Sequence, residues 1–98
     1  AAIRILMLGV PEGTDPEAVI AAMLTVDGVE NVHHVHLWGF DEKRISLEAH
    51  LVLAPGAVAT AAKSAVRRLL RERFAVTHVT LETELAGEAC QEAGGLPR

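Results

Sequence analysis

The stretch that decides the fold is Val32-His33-His34-Val35-His36-Leu37-Trp38-Gly39-Phe40, separated by four residues from Ile45-Ser46-Leu47-Glu48-Ala49-His50-Leu51-Val52-Leu53. In both segments apolar residues alternate with polar ones, a period that is typical of half-buried β-strands. The charged connection from Asp41 to Arg44 is short enough for a turn. The two segments therefore predict an antiparallel hairpin with strands over residues 32–40 and 45–53.

The flanking sequence supplies two helices and a last strand. Apolar spacing, an initial proline and a terminal Asp-Gly predict a helix over residues 16–26, and a second amphipathic helix spans residues 58–74. Alternation returns over residues 76–85, while Ile3 to Val10 is apolar enough for an extra strand or a linker. The order predicts an α+β, ferredoxin-like (metallochaperone-like) αββαβ sandwich, with both helices on one face of the sheet.

The length and composition indicate one small domain. With 98 residues, 50% of them hydrophobic, we expect a single domain over residues 1–90 and a flexible tail over residues 91–98. One Trp, two Phe and no Tyr leave the core to aliphatic side chains. Association with a second copy of the chain would stabilise a domain with so small a core, so a homodimer is expected.

Charge and cysteine content exclude several classes of partner and compartment. A net charge of -4 argues against nucleic acid, whose phosphates require an excess of Lys and Arg. The single Cys90 cannot form an internal disulfide, which makes the cytoplasm the default location. No stretch approaches the roughly 20 apolar residues of a membrane helix, so we expect this chain to be soluble by itself, although it could be part of a membrane protein.

Alternation assigns the two faces of the sheet. The apolar odd-numbered residues of the hairpin mark the helix-covered side, which leaves an open face of even-numbered residues: His34, His36, Trp38, Glu48, His50, His78, Thr80, Glu82 and Glu84. If Phe40 lies opposite Ser46, then His36 lies opposite His50, close enough for the two imidazoles to share an ion. The pattern predicts a metal site, with an ordinary solvated sheet face as the alternative.

A family resemblance sharpens this prediction. Gly28-Val29-Glu30-Asn31-Val32-His33-His34-Val35-His36-Leu37-Trp38 resembles the start of the C-terminal domain of cation diffusion facilitators, with its His-x-x-His-x-Trp strand. The segments 46–52 and 74–84 are similar to the family's second and last strands, and Cys90 lies where many members keep a cysteine. The likeness covers about Ile3 to Cys90.

The resemblance implies a function and a set of ligands. The family consists of membrane antiporters that export Zn²⁺ and related ions against protons, with a cytoplasmic domain that dimerises and binds metal to favour the transporting conformation. Residue by residue, it implies ligation by His33, His50, Glu82 and Glu84. Lys63 stands where some members place a further histidine, so a binuclear cluster is not expected.

The alternation of faces and the family resemblance disagree about the first strand of the hairpin. Parity places His33 on the core side and favours His36, unless a bulge at Val32-His33 releases His33 from alternation. Which of His33, His34 and His36 ligates is therefore open. The combined set of expected metal ligands is His33, His36, His50, Glu82 and Glu84, for Zn²⁺ or alternatively Cd²⁺, Ni²⁺, Co²⁺, Mn²⁺ or Fe²⁺.

The sequence thus favours a cytoplasmic regulatory domain of a divalent cation efflux transporter, attached to a transmembrane domain and switching conformation on metal binding. The alternative is a free-standing metal buffer or chaperone, although the absence of Cys-x-x-Cys disfavours Cu(I). An amino-acid-binding module would need a glycine-rich ligand loop between a strand and a helix, and Pro11-Glu12-Gly13 contains only one glycine. An enzyme is not expected, because no nucleophile motif is present.

Overall fold

The computed structural model describes residues 5–41 and 44–86, and its strands form one mixed four-stranded sheet. The elements are β1 (Ile5–Leu8), α1 (Pro16–Met23), β2 (Val29–Asp41), β3 (Arg44–Leu53), α2 (Ala59–Phe74) and β4 (Val76–Leu85). The sheet order is β1-β2-β3-β4, with a central antiparallel hairpin and a parallel strand on each side. The predicted α+β, ferredoxin-like class is confirmed, and the apolar N-terminal segment contributes β1. Cys90 and the predicted tail over residues 91–98 lie outside the described residues.

Local sequence sets the ends of the helices. The Asp15 carboxylate accepts hydrogen bonds from the backbone N–H groups of Glu17 and Ala18 at the start of α1. This helix ends three residues earlier than predicted, because the amides of Thr25 and Val26 bond to carbonyls only three residues back, which tightens the last turn. At the end of α2, Ala75 adopts a left-handed conformation with φ 59°.

Both helices cover one face of the sheet. Val19 and Met23 of α1 and Val66 and Leu70 of α2 are fully buried in a single cluster with the sheet residues. The sheet contributes mainly the predicted odd-numbered residues to this core, namely Val35, Leu37, Leu47, Ala49, Leu51, Leu53 and Leu81. The open face of the sheet, opposite the helices, is therefore free to carry polar side chains.

A β-bulge interrupts β2 at His34. His33 pairs with His50 and His36 pairs with Glu48, so His34 and Val35 together lie opposite the single residue Ala49. The backbone of His34 is left-handed, with φ 54°. Because one residue is inserted, the buried positions change from even to odd along β2, and His33 shares the open face with His36.

The predicted hairpin register was wrong. Trp38, not Phe40, pairs with Ser46, and His36 pairs with Glu48 rather than with His50. Asp41 pairs with Arg44, which moves the register by one residue from the predicted one, and the irregularities between Gly39 and Asp41 and between His33 and His36 move it by one residue each. The histidine opposite His50 is consequently His33.

A close backbone approach joins β1 to the sheet. A Cβ added at Gly39 would collide with the carbonyl oxygen of Gly9, which itself has φ +67°. Only glycine allows this contact without displacing backbone. The end of β1 is thereby held against β2 beside Trp38, with which Leu8 pairs.

Deletions in β2 test whether the bulge serves the fold. Removing His34 leaves Val32-His33-Val35-His36-Leu37, in which strict alternation keeps the apolar residues in the core, so we expect a folded domain with little loss of stability. Removing His36 moves Leu37 out of the core, where burial of one such side chain stabilises by about 1.5 to 3 kcal/mol. Urea unfolding monitored by circular dichroism measures both. Equal losses in the two deletion variants would show that the fold itself requires the bulge.

Candidate metal centre

Four side chains from three neighbouring strands meet on the open face. His34 comes from the bulge of β2 and His33 from the position before it, His50 from the position on β3 that faces His33, and Glu84 from β4. Parallel pairing of β4 with β3 sets Glu82 opposite His50 and Glu84 opposite Val52, which brings the Glu84 carboxylate to the histidines. The mixed topology of the sheet thus assembles residues that are far apart in sequence.

The Glu84 carboxylate bridges two of the histidines. Nε2 of His33 lies 2.9 Å from Oε1 of Glu84, and Nδ1 of His50 lies 2.7 Å from Oε2. An ionised carboxylate only accepts hydrogen bonds, so both ring nitrogens donate. The Glu84 side chain is 9% exposed, whereas those of His33 and His50 are 24% and 25% exposed. The carboxylate is therefore the inner member of the cluster and the imidazoles face outward.

The His34 ring completes a three-imidazole group. Its centroid lies 4.6 Å from that of His33 and 4.9 Å from that of His50. One ring nitrogen of each of these three histidines lies within 4.8 Å of the others. Tetrahedral coordination at about 2.0 to 2.1 Å requires nitrogens about 3.3 Å apart, so small side-chain movements would suffice to bind a metal ion.

The electrostatics of the cluster suit a cation. Burial, followed by the neighbouring imidazoles of His33 and His50, lowers the pKa of His34. Burial by itself raises the pKa of Glu84, but the hydrogen bonds from His50 and His33 outweigh it, and the pKa lies below its ordinary value. At neutral pH the cluster therefore contains a neutral His34 and a negative Glu84. Those are the protonation states that metal binding requires.

The structure brings together three of the five expected ligands, His33, His50 and Glu84. The fourth, His36, instead lies beside Glu48, with Nδ1 3.6 Å from Oε1 and both side chains about half exposed. Glu82 is exposed, and the carboxylate bridge is made by Glu84 without it.

The expected ligand set omits His34, although the sequence contains a signal for its position. Val32 and Val35 are both apolar and lie three residues apart, which strict alternation cannot place on one face. An inserted residue between them resolves the contradiction and moves His34 toward His33.

Comparison with known proteins identifies the family. Residues 11–86 match the family described as cation efflux protein, cytoplasmic domain. The chain belongs to this family. The predicted resemblance to cation diffusion facilitators is thereby confirmed.

None of the helices in residues 5–41 and 44–86 has the length and apolar character needed to cross a membrane.

Relatives of this cation efflux domain include characterised transporters. The chain is 33% identical over 96 residues to the proton-coupled zinc antiporter SLC30A2 of Rattus norvegicus, and 29% identical over 94 residues to the metal cation efflux system protein CzcD of Cupriavidus metallidurans. Each alignment covers 95% of this chain, but only 27% and 29% of the respective relative. The chain therefore spans less than a third of the length of these proteins.

Solved structures share the fold. The metal-bound C-terminal domain of CzcD superposes with a TM-score of 0.68 at 27% identity, covering 74% of this chain and 100% of that domain. A variant of the C-terminal domain of MamM gives a TM-score of 0.62 at 16% identity, over 71% of this chain and 91% of that one, and shows the fold alone.

The lowered pKa of Glu84 predicts a pH dependence of stability in the metal-free protein. Because the folded pKa is below the ordinary value, ionised Glu84 stabilises the fold above about pH 4.5, and this contribution is lost as the pH falls through the lowered folded value. Glu84→Gln should flatten the dependence of the unfolding free energy on pH below about pH 4.5. Urea unfolding at several pH values measures this. Glu48→Gln, which removes a half-exposed carboxylate outside the cluster, controls for the change in charge.

Proposed function

We propose that this chain is the cytoplasmic regulatory domain of a divalent cation efflux transporter, and that it binds Zn²⁺ or a related ion at the cluster of His33, His34, His50 and Glu84. The observation that carries the proposal is the convergence of three imidazoles and one carboxylate on the open face of a domain from this family. A solvated sheet face alone would not require two histidines to share a partly buried carboxylate. The proposed role of the chain is regulatory and not catalytic.

The donor set favours Zn²⁺ over harder or softer ions. Imidazole nitrogen is a borderline ligand that suits Zn²⁺, Co²⁺ and Ni²⁺, while Mg²⁺ and Mn²⁺ prefer sites built from oxygen atoms. The single cysteine of the chain lies outside the described residues, and thiolates would be needed in number for Cu(I). We therefore place Zn²⁺ first among the divalent ions.

The arrangement of the ligands supports a conformational response. The cluster joins three strands, with His33 and His34 on β2, His50 on β3 and their hydrogen-bonded partner Glu84 on β4. An ion that draws the imidazole nitrogens from as much as 4.8 Å to about 3.3 Å therefore draws together side chains that link these strands. A metal that binds the tightened state better than the relaxed one shifts the population toward it. In the proposed transporter, this change is transmitted to an attached transmembrane domain.

We also propose a homodimer that forms through an apolar hollow on the open face. The hollow has a volume of about 470 Å³ and is lined by Leu6, Leu8, Gly9, His36, Leu37, Trp38, Gly39 and Glu48. Leu6 and Leu8 are 50% and 63% exposed, which is a high exposure for neighbouring leucines in a small domain. A second copy of the chain is the proposed occupant, since the core is poor in aromatic residues and the contact would bury Trp38.

Zinc titration of paired histidine variants tests the metal site. His50→Ala should lower Zn²⁺ affinity by at least about 10-fold, since even the loss of a residue behind the ligands commonly costs about 10- to 100-fold. It should also reduce the rise in melting temperature on adding Zn²⁺. His36→Ala removes an imidazole from the same face but outside the cluster, and should retain wild-type affinity. Calorimetry and thermal melts measure both effects, and an equal loss in His36→Ala would contradict the assignment of the cluster.

Sedimentation tests the dimer. Trp38→Glu places a charge in the apolar hollow and should shift the protein to a monomer at micromolar concentration, because burying an unpaired carboxylate is strongly unfavourable. Leu85→Glu alters an apolar residue at the end of β4 that is 49% exposed, about as exposed as Leu6 in the hollow, and should leave the dimer intact. A wild-type monomer, with and without Zn²⁺, would rule out the proposed dimer.

A further inference from the structure

Helix α2 concentrates the positive charge of an acidic chain. It holds five of the nine Lys and Arg residues and one of the 13 acidic residues. The helix therefore has a formal charge of +4 in a chain of -4, and all other residues together have a charge of -8. Its basic residues are Lys63, Arg67, Arg68, Arg71 and Arg73. The α2 surface is thus opposite in sign to the rest of the molecule.

These basic side chains are accessible and are not neutralised by ion pairs. All of them except the half-buried Lys63 are exposed, while the same helix buries Val66 and Leu70 against the sheet. Among the residues that the structure describes, none of the five side chains forms an ion pair with a carboxylate. The exposed surface of α2 therefore presents a stripe of uncompensated positive charge.

Helix stability explains only part of this stripe. Arg71 and Arg73 lie in the last turn, where a cation interacts favourably with the helix dipole. Lys63 and Arg67 lie before that turn, and Lys63, Arg67 and Arg71 follow one another at intervals of four residues, a spacing at which like charges destabilise a helix. The first turn has no acidic residue, and Val58 provides no side-chain cap. The basic residues before the last turn therefore point to a partner outside the domain.

We propose that α2 docks the domain on an anionic lipid surface. A convex helix spreads its side chains apart, which suits an extended charged surface, whereas a compact anion requires donors that converge on it. Clusters of about four to eight Lys and Arg residues on an amphipathic helix are typical of segments that bind anionic lipids. This inference rests on the proposed function for the nearness of a membrane, but it does not involve the metal cluster.

The surroundings of the domain favour lipid over an acidic protein as the partner. The chain belongs to the family described as the cytoplasmic domain of cation efflux proteins, and its relatives include a proton-coupled antiporter. The cytoplasmic leaflet of a cell membrane carries anionic lipids, which attract basic segments within about a Debye length. An attached transmembrane domain would hold α2 near this leaflet and raise its effective concentration there.

The charge distribution would also orient the domain. Both helices cover one face of the sheet, and the carboxylates of Glu48, Glu82 and Glu84 belong to strands whose open face lies on the other side. An anionic surface attracts α2 and repels these carboxylates, so the open face turns away from the lipid. The hollow proposed for the dimer lies on the open face, and pairing there leaves α2 of both copies uncovered.

Co-sedimentation with lipid vesicles provides the first test. The chain is mixed with phosphatidylcholine vesicles or with vesicles that also contain about 30% phosphatidylserine. We expect wild-type protein to bind only the second kind, and to be released by high salt, which screens the charges. The double variant Arg67→Gln with Arg68→Gln should bind about 30-fold more weakly, since each basic residue near such a surface contributes about 1 kcal/mol, a factor of about 5 in affinity.

A matched control removes the same charge from another part of the chain. The double variant Lys43→Gln with Arg44→Gln alters the hairpin turn and should bind the vesicles nearly as well as wild type does. Circular dichroism checks that both double variants are folded. Equal losses of binding in the two variants would show that only net charge matters, and would overturn the role of α2.

Energy transfer tests which face meets the lipid. Trp38 is the only tryptophan of the chain and lies on the open face, so it serves as the donor to a dansyl-labelled lipid headgroup. Ser64→Trp combined with Trp38→Phe moves the donor to an exposed position of α2. We expect stronger transfer from position 64 than from position 38. The reverse order would overturn the proposed orientation.

The remaining outcomes separate this inference from other partners and from the metal site. Wild-type protein that binds polyglutamate but not phosphatidylserine vesicles would have an acidic polypeptide as its partner, and binding to neither would leave α2 without an anionic partner; both results overturn the inference. The Arg67→Gln and Arg68→Gln double variant should retain wild-type Zn²⁺ affinity. Absence of Zn²⁺ binding by the wild type would reject the proposed metal site and leave the vesicle result unaffected.

Discussion

The geometry of the cluster depends on a mismatch between two strands: Ala49 of β3 faces both His34 and Val35 of β2. This one additional residue lets the strand keep apolar side chains in the core on both sides of the bulge while it turns two adjacent histidines toward one point. A non-glycine residue in a left-handed conformation costs roughly 1 to 3 kcal/mol. Ladder pairing on both sides of the bulge, from Asn31 to His33 and from His36 to Gly39, offsets that cost. Strain confined to such a position is found most often where a function requires it.

A second constraint comes from the partly buried charge of Glu84. A carboxylate that is 9% exposed loses much of its hydration and needs polar partners inside the protein. The two imidazoles supply them, and in return the carboxylate fixes the orientation of their rings. The link also ties β4 to β2 across β3, although β2 and β4 are not neighbours in the sheet. The cluster is therefore a structural contact between strands as well as a candidate ligand set.

The sequence predicted the helices and strands better than it predicted the register between neighbouring strands. Alternation gave β4 its observed bounds and identified the core positions of the hairpin, because each residue's neighbours decide whether it fits a half-buried strand. Register depends on the turn and on bulges, which are set by a few backbone angles that composition hardly constrains. For this reason His36 was placed opposite His50, where the structure has His33. The family resemblance, which carried over His33, escaped this error because it did not rely on counting alternate residues.

The order of the ligands along the chain has a consequence for biosynthesis. Glu84 follows His50 by 34 residues and His33 by 51. At a translation rate of about 5 to 20 residues per second, the ribosome needs about 2 to 7 seconds to proceed from His50 to Glu84. During that interval the nascent chain carries its histidines without the carboxylate that accepts hydrogen bonds from two of them. The hydrogen-bonded cluster is thus complete only when the last strand has been made and has docked.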